Sequence, residues 1–116
     1  MEVLRMVTPK RISGRYELRF EFTGTVRRFG KESVFRGWSR DLSESGMGAY
    51  VPVELREGEL VDLDLPLESD APALRVAAKV RRSHGSEYGF EFVTLSATQR
   101  AAIASAVAHC GDAPYL

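Results

Sequence analysis

The segment Leu74-Arg75-Val76-Ala77-Ala78-Lys79-Val80-Arg81 sets Leu74, Val76, Ala78 and Val80 against Arg75, Ala77, Lys79 and Arg81. After His84-Gly85-Ser86-Glu87, the run Tyr88-Gly89-Phe90-Glu91-Phe92 sets Tyr88, Phe90 and Phe92 against Gly89 and Glu91. A period of two puts alternate side chains on opposite faces of a strand. Two such runs around a glycine-containing turn read as a hairpin with one face in a core.

The same period recurs upstream. Val61, Leu63, Leu65 and Leu67 alternate with Asp62, Asp64 and Pro66, and Met47, Ala49, Val51 and Val53 form another set. Residues 34–43 are strand-like but less regular, around Trp38. Leu18, Phe20 and Phe22 alternate with Glu17, Arg19 and Glu21, and residues 27–33 read as a connection turning at Gly30. Downstream the period changes. Ser96 and Gln99 form a capping box, an Ala-rich run reaches Cys110, and Gly111 is a helix stop. Ile103, Val107 and Cys110 fall on one helical face that would dock on the sheet. Six short strands followed by one helix predict an all-β fold with one helix, an antiparallel barrel closed or nearly closed. Closure removes the sheet edges that invite aggregation.

Composition agrees with one ordered domain. The chain has 116 residues, with 44% apolar and 28% charged, which argues against disorder. No apolar run reaches the roughly 18 residues of a membrane helix, and Met1-Glu2-Val3-Leu4-Arg5 lacks a secretory apolar core. The single cysteine, Cys110, cannot form an internal disulfide. A cytoplasmic location is the expectation. Net charge is zero but uneven: residues 1–40 hold ten Lys/Arg against four Asp/Glu, and residues 41–116 hold six against twelve. A basic first third can attract an anion, or its charges can simply line solvated strand edges.

Two segments carry candidate chemistry. Arg11 and Arg15 stand four apart in Lys10-Arg11-Ile12-Ser13-Gly14-Arg15. Guanidinium forks grip phosphate, read guanine O6 and N7, or stack on a base; a solvated basic tail is the plainer reading. Asp41-Leu42-Ser43-Glu44-Ser45-Gly46 links two strands. The Asp41 carboxylate can accept from guanine N1–H and N2–H, Ser43 adds a donor and acceptor, and Gly46 permits positive φ or close approach of a flat ligand. Asp, Ser and Gly are equally the residues of a plain tight turn.

Together, Arg-x-x-x-Arg before the first barrel strand and Asp-x-Ser-x-x-Gly between the second and third resemble the two signature motifs of the PilZ domain family. The resemblance covers roughly residues 8–108 and extends to Leu55-Arg56-Glu57-Gly58-Glu59 and to the Lys79–Phe92 hairpin. It implies a six-stranded β-barrel with a C-terminal helix over residues 16–110, an N-terminal arm over 1–15 and a tail over 111–116. It implies a receptor for cyclic di-GMP, with Lys10, Arg11, Arg15, Asp41, Ser43 and Gly46 binding the ligand. Lys10 stands where the family often has arginine. The arm would order over the barrel on binding and present a changed surface to a downstream protein. A nucleic-acid polymer and a membrane span are not implied, and self-association stays open.

Other chemistries find little support. His84, His109 and Cys110 lack zinc-site spacing. Asp62 and Asp64 read as an outward solvated pair. Ser43 and Ser45 have no His–Asp relay, and no Gly-rich phosphate loop precedes a lysine. No catalytic set, metal site or cofactor is expected. Trp38 and Tyr50 suit a hydrophobic wall or a stacked base. The competing functions are an interaction barrel that binds no nucleotide and, less compatible with neutral charge, a nucleic-acid-binding barrel.

Overall fold

A computed structural model describes residues 11, 12 and 15–112, with side chains over 17–108. Eight strands and one helix follow in order: β1 (Arg11–Ile12), β2 (Arg15–Glu17), β3 (Glu21–Arg28), β4 (Lys31–Leu42), β5 (Gly46–Tyr50), β6 (Leu60–Leu65), β7 (Leu74–His84), β8 (Glu87–Phe92) and α1 (Ala97–Asp112). The last six strands pair antiparallel in the order β4-β3-β6-β7-β8-β5, and β5 returns to β4. The barrel is therefore closed, six-stranded and antiparallel, with one helix after it. β1 and β2 stand outside the ring, with β2 paired to the end of β4.

The alternating apolar residues point inward. Phe22, Leu63, Val76, Val80 and Phe90 are buried, and the Phe22 ring meets Phe35 and Phe90 edge-on at 6.5 and 6.4 Å. Each such side chain contributes roughly 1.5–3 kcal/mol on transfer from water. The helix starts at the predicted capping box: Gln99 N–H donates to Ser96 Oγ at 3.0 Å, and Ser96 N–H donates to Gln99 Oε1 at 2.7 Å. Gln99 Nε2 also donates to the Arg75 carbonyl at 2.7 Å, fixing the helix start to β7. Ile103 is fully buried and Val107 packs against the same core. The helix continues through Gly111 to Asp112, past the predicted stop. The Cys110 side chain lies outside the described residues.

Two boundaries differ from the sequence reading. Residues 27–33 are no loose connection: the β3–β4 ladder runs through Arg28 opposite Lys31, leaving only Phe29 and Gly30 in the turn. Both have positive φ, 52° and 76°, the geometry of a tight hairpin turn. The first strand begins at Glu21, not near Leu18. Leu18 and Phe20 are buried as expected, but a side chain anchors their backbone. The buried Ser39 hydroxyl accepts from Phe20 N–H at 2.8 Å and donates to the Leu18 carbonyl.

That hydroxyl joins the approach to the barrel onto β4. Ser39→Ala is expected to cost about 1–3 kcal/mol, because two buried backbone groups lose a partner with no water to replace it. Urea unfolding checks this; a loss below about 0.5 kcal/mol, the low end for one net hydrogen bond, would mean that the backbone holds the segment alone.

Candidate functional site

The two candidate segments meet at one end of β4. Tyr16 pairs with Leu42 and Glu17 with Asp41, so the antiparallel register brings the backbone of Arg15 alongside Ser43. Arg11 follows through β1, opposite Tyr16. The side chains of Arg11 and Arg15, and all of Lys10, lie outside the described residues.

Asp41 follows a shift of register in β4, between Ser39 and Asp41. A bulge of this kind re-aims side chains, and here Arg40 and Asp41 are both partly exposed. The Asp41 carboxylate leans across β5: Oδ1 accepts from Gly48 N–H at 3.1 Å, and Oδ2 accepts from Arg40 Nε at 3.2 Å. A Cβ on Gly48 would stand 2.9 Å from Oδ2 and 3.1 Å from Oδ1, so the missing side chain is what admits the carboxylate. Arg40 also donates to Glu87 at 2.8 Å, and its guanidinium carbon lies 5.9 Å from the centre of the Tyr50 ring. Burial pulls the Arg40 pKa down, but the hydrogen bond and charge of Asp41, with Tyr50 and Glu87, carry it above the ordinary arginine value.

Ser43 serves its own turn. Its hydroxyl accepts from the Ser45 and Gly46 N–H groups, both at 3.2 Å, while Ser43 N–H donates to the Gly46 carbonyl at 2.9 Å. Such a hydroxyl stands in for a backbone turn bond. The side chain is buried, so its demonstrated work is to hold the loop after Asp41. Gly46 differs from the expectation as well. The glycines with positive φ among the described residues are Gly30, Gly58 and Gly85, so Gly46 needs no left-handed backbone. Its constraint is the neighbouring strand: a Cβ there would overlap the Phe90 carbonyl oxygen of β8.

Trp38 and Tyr50 face each other across β4 and β5 on the outside of the barrel, 53% and 37% exposed, so neither belongs to the core wall. Asp64 is held by Arg75 at 2.9 and 3.1 Å, which makes the acidic strand face a surface ion pair. No three His, Cys, Asp or Glu residues among those described are placed to hold a metal ion. No helix among them is long and apolar enough to cross a membrane. A cleft of about 300 Å³ between Arg27, Glu32, Leu60, Asp62 and Ala77 does not include Asp41 in its lining, and Arg27 and Glu32 in its wall pair with each other.

The sequence motifs contained Asp41, Ser43 and Gly46 but not Arg40, Gly48 or Gly89. Arg40 joins as the chain neighbour of Asp41 at the register shift, while Gly48 and Gly89 join through cross-strand register, of which the sequence sign was a glycine inside a strand pattern.

The closed barrel thus carries Asp41, flanked by Arg40, on its outer face, with the paired N-terminal segment beside it. The PilZ domain model matches residues 13–109, and the chain belongs to the PilZ domain family. PilZ domains are binding and receptor domains rather than enzymes. Solved structures share the fold. The PilZ domain of CeSA from a cellulose-synthesizing bacterium is 18% identical, with TM-score 0.65, over 85% of this chain and 99% of that one. The cyclic di-GMP-bound PilZ domain of YcgR from Escherichia coli is 16% identical, with TM-score 0.57, over 80% and 89%. YcgR of Escherichia coli in complex with cyclic di-GMP is 19% identical, with TM-score 0.53, over 75% of this chain and 42% of that one. No curated protein matches the sequence.

Proposed function

We propose that this chain is a cyclic di-GMP receptor domain that signals through its N-terminal segment. The observation that carries the reading is the pairing of β2 with β4, which sets Tyr16 and Glu17, next to Arg15, against Leu42 and Asp41. Membership of the PilZ family, and the cyclic di-GMP in two structures of the same fold, support it.

In this mechanism one guanine presents N1–H and N2–H to Asp41. Arg40 yields its share of that carboxylate and keeps Glu87, which already accepts from it. Arg11 and Arg15, with Lys10 adding charge, take the phosphates and guanine acceptors. Ser43 and Gly46 act mainly by holding the turn. Residues 5–15 hold Arg5, Lys10, Arg11 and Arg15 and no acidic residue. Their mutual repulsion weakens the docking that β1 and β2 already show, and an anion would relieve it. The tether is thin: β1 has two residues and β2 three, each paired at two positions with its neighbour. Ordering costs roughly 1–2 kcal/mol per residue, so ligand contacts can decide whether the segment docks. The docked surface is then read by a partner protein.

Calorimetric titration with cyclic di-GMP, cyclic di-AMP and GTP tests this. Cyclic di-GMP is expected to bind, and cyclic di-AMP at least roughly tenfold more weakly, because adenine leaves Asp41 short of a donor. Equal affinities would remove Asp41 as the guanine reader. A barrel that binds a partner protein but no nucleotide is the second reading, favoured by the exposed Trp38–Tyr50 pair; failure of every nucleotide to bind would select it.

A further inference from the structure

Four residues form one row across the outside of the barrel. Asp41 on β4 faces Gly48 on β5, Gly48 faces Gly89 on β8, and Gly89 faces Arg82 on β7. At about 4.8 Å per strand, three strand spacings put the Asp41 and Arg82 backbones about 14 Å apart. The two glycines between them add no side chain to the row; the ends of Asp41 and Arg40 lie over Gly48, and the stem of Arg82 lies beside Gly89.

Arg82 is the far wall. A shift of register between Val80 and Arg82 leaves both Arg81 and Arg82 exposed. Arg81 pairs with Glu91 at 3.3 Å, and Arg40 and Arg75 are held by carboxylates. The Arg82 guanidinium has no hydrogen bond or ion pair among the described residues. Its stem nevertheless has a place, since Cβ, Cγ and Cδ lie 3.6, 3.7 and 3.8 Å from where a Cβ on Gly89 would stand. The arginine therefore leans on Gly89 with five donors unspent.

We propose that Arg82 binds the half of the dinucleotide that Asp41 does not. With one guanine edge at Asp41, the rest of the ligand reaches along the Gly48–Gly89 row toward Arg82, above the Asp41 and Arg40 side-chain ends that already cover Gly48. Arg82 donates to its acceptors, a phosphate oxygen or guanine O6 and N7. This rests on the cyclic di-GMP reading above. It adds a binding residue on a strand that neither sequence motif touches.

Calorimetry with cyclic di-GMP on the full chain compares wild type with Arg82→Ala, Arg82→Lys and Arg75→Ala. Arg82→Ala is expected to weaken binding roughly tenfold, the scale of one charge-assisted contact. Arg82→Lys should recover part of that, keeping charge without the fork. Arg75→Ala, on the same strand but off the row, should bind as wild type does. Melting temperatures of the two Arg82 variants without ligand should match wild type, since the exposed Arg82 holds no bond among the described residues; Arg75→Ala removes only a surface ion pair with Asp64 and should shift little. Normal binding by Arg82→Ala would overturn the proposal while leaving the receptor reading intact. So would an equal loss in Arg75→Ala, which would make the effect a general field of the strand. No binding by wild type would overturn the receptor reading, and this proposal with it.

Discussion

Arg11→Ala and Arg15→Ala are each expected to weaken cyclic di-GMP binding by about 2 kcal/mol or more, roughly thirtyfold, with little change in the melting temperature of the free protein. The size follows from the contacts each guanidinium would lose, at about 1.5–3 kcal/mol for a hydrogen bond to a charged group. The selectivity follows from topology. Among the described residues β1 pairs only with β2, and β2 joins the barrel strands only through β4, so neither belongs to the ring that closes the barrel. Alanine keeps the backbone donors and acceptors of both short strands. Amide exchange gives a second readout: protection across residues 5–15 should rise when ligand is added to wild type and stay flat in the double variant. The barrel strands around Val80 and Phe90, both buried, should stay protected throughout. A variant that binds normally, or melts early without ligand, would make the segment structural.

How far the sequence could be read depended on what each residue's neighbours were. Strands with one buried face announced themselves, because burial forces the period of two. Val76, Ala78, Val80 and Phe90 were legible for that reason, and all face the core. The β3–β4 hairpin tip was not. Arg27, Arg28, Lys31 and Glu32 are exposed or nearly so, as are Ser33 and Val34, so nothing enforces alternation there. Residues 18–20 were misjudged because their join to β4 is irregular: two backbone bonds, Leu18 N–H to the Arg40 carbonyl and Ser39 N–H to the Phe20 carbonyl, are completed by the Ser39 hydroxyl instead of a regular ladder. In the site, Asp41, Ser43 and Gly46 were visible because they are adjacent in the chain. The row from Asp41 to Arg82 spans four strands and crosses beside two register shifts, and no local spacing encodes that.

Gly46 is where the sequence motif and the structure give different reasons for one residue, and substitution separates them. If Gly46 served only to leave room for a base, Gly46→Ala would fold normally and lose ligand. The structure predicts instead that Gly46→Ala destabilises the free protein by about 1–3 kcal/mol, and Gly46→Val by about 3 kcal/mol or more. The Cβ would run into the carbonyl oxygen of Phe90, a backbone atom of the facing strand. Phe90 cannot retreat easily, because its side chain is buried against Phe22. Moving Gly46 outward instead would pull on its three bonds to Ser43 and on the Ser45 carbonyl that accepts from Phe92 N–H. Either response disturbs the turn that follows Asp41, so binding should fall as a consequence of lost stability. Gly48→Ala is the contrast. The nearest atoms its Cβ would crowd are the side-chain ends of Arg40 and Asp41, at 2.9–3.1 Å, rather than backbone, and those can move. It should cost less stability than Gly46→Ala yet disturb the carboxylate that reads guanine. Urea unfolding of both variants, with calorimetry on each, decides the matter. Wild-type stability in Gly46→Ala would restore the motif's own reason for the glycine and remove the backbone contact as its cause.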